Sequence, residues 1–328
     1  MNSFLTHILN PQHTIWSISL AILALTLVSC SDSEADSDPN SPKLTGSVEI
    51  DGSSTVFPIT EAVAEDFHKA NKGVQVNVGV SGTGGGFKRF ITGDTDVSNA
   101  SRPIKAAEAN KATENGIEYI EIQVALDGIS VVVNPNNKFI DCLTVAQLKD
   151  IWEPDSPIER WSDLNAEWND KEIGFYGPGT DSGTFDYFTE EIVGEAQRSR
   201  SDYTASEDDN VLVQAIGGDR NSLGYFGYAY YAENSRSLKL VDIDAGSGCV
   251  TPTEESIQNG TFKPLSRPLF IYVNTRSLQR PEMLAFLEYY LQNGADLSTE
   301  VGYISLSSAA YEESLANIRE AALQATGR

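Results

Sequence analysis

Three times in this chain an apolar, extended stretch runs into a turn rich in Ser, Thr and Gly, and from there into a helical pattern. The first turn is Asp51-Gly-Ser-Ser-Thr-Val-Phe-Pro-Ile-Thr60, which follows Val48 and Ile50 and precedes Ile59, Val63 and Phe67. The second, Ser81-Gly-Thr-Gly-Gly-Gly86, follows the alternating Val74-Gln-Val-Asn-Val-Gly-Val80 and leads to Phe87, Phe90 and Ile91. The third, Gly177-Pro-Gly-Thr-Asp-Ser-Gly-Thr184, follows Ile173-Gly-Phe-Tyr176 and leads to Phe185, Phe188, Ile192 and Val193. Strand, turn and helix in that order form the repeating unit of an α/β fold, whose ligands bind beyond the carboxyl ends of the strands. The first amides of a helix have no intrahelical partner and lie at the positive end of its dipole. Hydroxyls beside them make a place that suits an anion. One such turn is an ordinary Ser/Thr cap; three can converge on a single oxyanion.

The remaining pattern extends the alternation. Strands are expected at 47–50, 74–80, 96–100, 117–124, 173–176 and 223–228, and helices at 59–70, 85–92, 104–115, 145–152, 185–194, 210–217, 281–293 and 311–323. A length of 328 residues suggests two domains. Ile129-Ser-Val-Val-Val-Asn-Pro135 and Leu269-Phe-Ile-Tyr-Val-Asn-Thr275 are β-prone runs with the same Val-Asn ending, and are expected as neighbouring strands that cross between two lobes. Residues 44–126 plus 276–328 would form one lobe and 127–275 the other. Each would be a mostly parallel sheet flanked by helices, with a cleft between them.

Charge narrows the partners. Lys and Arg number 23 against 47 Asp and Glu, a net −24, with no basic tract or basic-aromatic stripe. Nucleic acid is therefore not expected as a partner. A small anion remains compatible, because contact donors act well inside the roughly 8 Å over which salt screens the overall field. Residues 1–29 carry no Asp, Glu, Lys or Arg, and residues 14–29 form an apolar segment too short to span a bilayer comfortably. That segment ends in Leu27-Val-Ser-Cys30, which resembles the lipobox of bacterial lipoproteins. Residues 1–29 are expected to be a signal peptide, Cys30 the lipidated residue, and the acidic 30–43 a solvated tether. The leader lacks the usual Lys or Arg at its start. Export places the remaining pair, Cys142 and Cys249, in an oxidising compartment where a disulfide is expected.

With these motifs in view, the chain resembles the phosphate-binding proteins of bacterial high-affinity ABC phosphate importers, which have the type 2 periplasmic-binding-protein fold. The resemblance runs from Val48 to about Leu323. It rests on Gly52-Ser-Ser-Thr-Val-Phe-Pro58, Ser81-Gly-Thr-Gly-Gly-Gly86, Asp94-Thr-Asp-Val-Ser-Asn-Ala-Ser-Arg-Pro103, Gly179-Thr-Asp-Ser-Gly-Thr184 and Leu223-Gly-Tyr-Phe-Gly-Tyr228 in that order. It implies two α/β lobes on a two-strand hinge that close on inorganic phosphate, working as a monomer and delivering to a membrane permease with its own ATPase. No cofactor or metal is implied. Phosphate donors carried over are Ser54, Thr55 and the backbone of Val56 and Phe57; Thr83, with Ser81 beside it; and Ser182, Gly183 and Thr184 from the opposite lobe. Asp96 would accept the ligand's proton. Such a carboxylate repels any anion lacking a proton, so it should discriminate against sulfate by roughly 10⁴-fold. The family's Arg, four residues before the Ser matching Ser182, is here Pro178. Arg102, held extended by Pro103, is the expected substitute cation.

An enzyme is not expected. Asp-Ser-Gly-Thr around Ser182 is not a nucleophile elbow, and His68 alone follows the leader, so a Ser–His arrangement is barely available. Another protonated oxyanion such as arsenate, or a sensory role for phosphate binding, stays open at this point.

Overall fold

The computed structural model describes residues 43–327 apart from Asp181, so the leader, most of the tether and Cys30 lie outside the described residues. Eleven strands are described: β1 (Gly46–Gly52), β2 (Val74–Val78), β3 (Val97–Ala100), β4 (Tyr119–Val133), β5 (Cys142–Thr144), β6 (Gly174–Pro178), β7 (Thr204–Ser206), β8 (Ser222–Gly227), β9 (Lys239–Asp244), β10 (Cys249–Val250) and β11 (Ser266–Asn274). The helices are α1 (Phe57–Ala70), α2 (Gly82–Phe90), α3 (Ala106–Glu114), α4 (Val145–Trp152), α5 (Trp161–Leu164), α6 (Gly183–Phe188), α7 (Asp209–Gly218), α8 (Tyr228–Asn234), α9 (Glu254–Gln258), α10 (Pro281–Glu300) and α11 (Ser308–Ala325). A π-helical turn, Thr189–Val193, continues α6. None of the described helices is long and apolar enough to cross a membrane.

The sheet runs β2-β1-β3-β11-β4-β8-β6-β7. Pairs made by the strand–turn–helix units are parallel: β1 with β2 and β3, β6 with β7 and β8. The centre is antiparallel, where β11 lies between β3 and β4 and β4 continues to β8. β11 and β4 are neighbours, as the two Val-Asn runs suggest, but the runs themselves are not partners. β11 pairs with residues 119–128 of β4, whereas Ile129–Val133 pairs with β8, and part of it with β9. The reason is length: β4 has 15 residues, enough to serve both halves of the sheet in turn.

Two large cores result. In the first, α1 buries Ile59, Thr60, Val63, Ala64 and Phe67, the stripe expected of an amphipathic helix, against β1 and α10. Phe67 meets Phe286 of α10 edge to face at 5.5 Å. The second core centres on Trp152, with Tyr225 and Phe188 stacked on each other at 3.7 Å. Along β4 the allegiance changes between Ala125, in the first core, and Leu126, in the second; at the start of β11 it changes between Leu265, just before the strand, and Leu269. Cys142 on β5 and Cys249 on β10 are joined by a disulfide, their Cα atoms 6.1 Å apart and 107 residues apart in sequence.

Candidate functional site

The turn after β1 is wound tightly. Ser53 Oγ accepts from Thr55 N–H, and the N–H of Phe57 donates to the Ser53 carbonyl. The Phe57 amide is therefore already used within the turn. Gly52 (φ +143°) and Gly86 let α2 come down onto β1: a Cβ on Gly86 would lie 2.6 Å from Gly52 Cα. That approach brings Thr83, in the first turn of α2, to Ser101 at the end of β3, with their hydroxyls 3.0 Å apart. Neither α1 nor α2 has a side-chain cap, which leaves the opening amides of α2 for a ligand.

Two cavities open beside these turns, and their charges differ. The larger, about 590 Å³, is lined by the hydroxyl residues Ser53, Ser54, Thr55, Thr83 and Ser101, together with Arg102, Lys105, Lys263, Arg267 and the acidic Asp186, Glu190 and Glu191. The smaller, about 370 Å³, is lined by Ser54, Ser182, Gly183 and Thr184 but also by Asp127, Glu207 and Asp209, with Tyr230 and Tyr303. Burial pushes the Asp209 carboxyl up to about 7, and the neighbouring Asp208, Asp127 and Glu207 add to the rise, against an opposing hydrogen bond from Gly227. Its lining carries three carboxylates and neither Lys nor Arg, which does not suit an anion. The larger cavity does.

Arg267 is its anchored cation. It faces Asp127 directly across the β11–β4 ladder and donates from Nε to Asp127 Oδ2 at 3.4 Å. Its guanidinium lies 3.5 Å from the centre of the Tyr187 ring, and Nη2 donates to Thr55 Oγ1 at 2.7 Å. The side chain is only 11% exposed and that of Asp127 2%. Burial raises the Asp127 carboxyl even though Arg267 pulls it down. A guanidinium held on three sides and partly desolvated is pre-organised to bind an oxyanion. Thr55 Oγ1 donates in turn to the Gly183 carbonyl at 3.3 Å, and Ser54 Oγ donates to Asp186 Oδ2 at 3.0 Å, so the β1 turn and the start of α6 are in contact.

Of the residues singled out from sequence, Ser54, Thr55, Thr83 and Arg102 line the cation-bearing cavity. Ser182, Gly183 and Thr184 do not; they line the acidic one, across the Thr55–Gly183 contact. Ser182 Oγ accepts from Thr184 N–H at 3.2 Å, capping its own helix. Val56 is fully buried, and Ser81 is exposed and lines neither cavity. Asp96 is a correction. It precedes β3, so it lies at the opposite end of that strand from Ser101, about 16 Å away at strand rise. There its carboxylate accepts from Glu49 N–H at 2.9 Å and Ser277 Oγ at 2.7 Å, and pairs with Arg280. It holds β1, β3 and the start of α10 together.

Arg102 reaches the cavity wall but is held by Glu108, which takes both Nη1 and Nη2 at 2.9 Å. Burial raises the Glu108 carboxyl, but the Arg102 hydrogen bonds and the Lys105 amide outweigh it and keep it below the usual carboxylate range. Turning Arg102 onto a ligand would break that pair. Arg102→Ala is therefore expected to change phosphate affinity less than about threefold in a calorimetric titration, the scale of a partly exposed ion pair. Arg267 was missed from sequence although a signal existed: Ser266-Arg-Pro268 repeats Ser101-Arg-Pro103, and the Pro argument applies to both.

A family model described as PBP superfamily domain matches residues 37–293. The chain belongs to the PBP superfamily. Among members of related sequence, Protein SphX of Synechocystis sp. is 46% identical over 297 residues, covering 90% of this chain and 86% of that protein. The phosphate-binding protein PstS of Staphylococcus saprophyticus is 42% identical over 278 residues, 84% of this chain and 85% of its own. A crystal structure of a possible phosphate binding protein from Planctomyces limnophilus has 48% identity and a TM-score of 0.81, covering 85% of this chain and 99% of that one.

Proposed function

We propose that this chain captures inorganic phosphate in the cavity between the β1 turn, α2 and β11 and delivers it to an ABC phosphate importer. The observation that carries this reading is Arg267, a largely desolvated guanidinium bonded to Thr55 in a cavity lined by hydroxyls. Binding rather than catalysis fits the site's chemistry. Among the described residues the one histidine, His68, is exposed at the end of α1, with Nδ1 3.1 Å from the Val74 carbonyl. The names of PstS from Staphylococcus saprophyticus and the Planctomyces structure point to phosphate rather than another oxyanion.

In this reading residues 44–126 plus 276–328 and residues 127–275 act as two lobes, pivoting where β4 and β11 pass from one core to the other. The chain works outside the cytoplasm, held to a membrane by a lipid on Cys30 and acting as a monomer on a permease and its ATPase. The Cys142–Cys249 disulfide supports an oxidising compartment. Calorimetric titration of the purified protein with phosphate is expected to show one site with a dissociation constant in the micromolar range or below. No heat of binding with phosphate, arsenate or sulfate would overturn the proposal.

A further inference from the structure

We infer that the connection between α10 and α11 is a third strap between the two halves, and that Ile304 is a positioning residue which sets how far they stand apart before phosphate arrives. The inference rests on the two-lobe reading above and refines it, because residues 276–328 then do not belong wholly to one lobe. Both helices are built into the first core, through Phe286, Tyr290 and Tyr311. Gly302, at φ +88°, ends α10: its N–H donates to the Thr299 carbonyl and that of Tyr303 to the Ser298 carbonyl, the left-handed stop that turns a chain out of a helix. The chain then runs into the other half. Ile304 and Leu126 exchange both backbone hydrogen bonds, at 2.8 and 3.0 Å, as an isolated antiparallel bridge. Leu126 is where β4 passes into the second core, and the Ile304 side chain is buried in that same core. Two residues on, Leu306 packs against both cores, and Ser307 then caps α11 back in the first. Gly302 is also met by α8 of the second half: a Cβ there would lie 2.9 Å from Tyr230 Cε2.

Two neighbouring strands, β4 and β11, form a narrow ribbon that can bend and twist. A third segment fixed at both ends removes part of that freedom. The halves cannot part widely while Ile304 stays in the second core and α10 and α11 stay in the first. Parting them would expose the Ile304 side chain and break its two hydrogen bonds to Leu126, and both changes cost free energy. Because the bridge is a single residue pair, with no ladder on either side to share the load, the hold depends on the burial of Ile304. A ligand-free form held near its closed geometry gives up less of the ligand's binding energy to closure, so the strap raises affinity without touching the ligand.

The test is small-angle scattering of wild type, Ile304→Ala and Ile243→Ala, each with and without saturating phosphate, beside calorimetric titration. Ile243 is fully buried in the second core on β9, a strand that pairs with β4 only beyond Leu126, so its truncation costs packing without freeing the connection. Ile304→Ala is expected to show a larger radius of gyration than wild type without ligand, to contract to the wild-type value with phosphate, and to bind phosphate about tenfold more weakly. Ile243→Ala is expected to lose melting temperature and to match wild type in scattering and affinity. An Ile304→Ala that behaves as Ile243→Ala does in both overturns the strap and leaves phosphate capture standing. Should Ile304→Ala not fold, Ile304→Val is judged by the same comparison. Wild type that binds phosphate without contracting overturns the two-lobe reading and the strap with it. Failure of wild type to bind phosphate overturns the capture reading, and the ligand-free comparison then still decides the strap.

Discussion

Arg267→Ala is expected to lower phosphate affinity by at least about 100-fold, equivalent to about 2.7 kcal/mol, in a calorimetric titration. Hydrogen bonds between an ion and its partner contribute roughly 1.5–3 kcal/mol each, and only 11% of this side chain meets solvent. The same substitution strips the buried Asp127 of its partner, and breaking a buried pair from one side costs about 3–5 kcal/mol of stability. Thermal unfolding therefore separates the two effects. The double variant Arg267→Met with Asp127→Asn removes both charges and should recover most of the lost melting temperature while phosphate binding stays weak. Arg267→Lys keeps the charge without the planar fork, and is expected to fall between wild type and Arg267→Ala. Affinity within threefold of wild type in a folded Arg267→Ala would exclude Arg267 from the site.

Gly183→Ala is expected to weaken phosphate binding at least tenfold with little change in the stability of the ligand-free protein. A Cβ at Gly183 would stand 2.6 Å from Thr55 Cα and 2.7 Å from Thr55 N, backbone atoms that cannot rotate away. The β1 turn and α6 would have to part, loosening the Thr55–Gly183 and Ser54–Asp186 hydrogen bonds together. That junction closes the cavity but belongs to neither large core, so folding should tolerate its opening. Titration combined with thermal unfolding checks both halves of the expectation. Wild-type affinity would mean that this contact has no part in holding the ligand.

Much of the architecture was legible because it is local. Each Ser/Gly turn lies between a period-two run and a period-three-to-four run within a dozen residues, and α1, α2 and α6 begin where those patterns change. The site was legible only in part. Thr55 and Thr83 follow from the turns, but the partners their hydroxyls already hold, Arg267 and the Gly183 carbonyl for Thr55 and Ser101 for Thr83, come from distant segments and are not legible locally. Asp96 was misplaced because its motif straddles a strand: Asp96 and Ser101, five residues apart, lie at opposite ends of β3. Arg267 and Asp127 are 140 residues apart and meet only through the register of β11 on β4, which no local pattern specifies. The acidic cavity is likewise assembled from β4, the segment before α7 and α7 itself.

The position of the Asp127–Arg267 pair, on two strands midway between one core and the other, has a mechanical consequence. If the halves swing, the displacement of any atom grows with its distance from the axis, and this pair sits nearest the fulcrum. The positive charge would then stay almost still, while groups farther from the axis moved relative to it. Arrival and retention would then be governed by different parts of the molecule, so damage to those groups should shorten the dwell of the ion without slowing its capture.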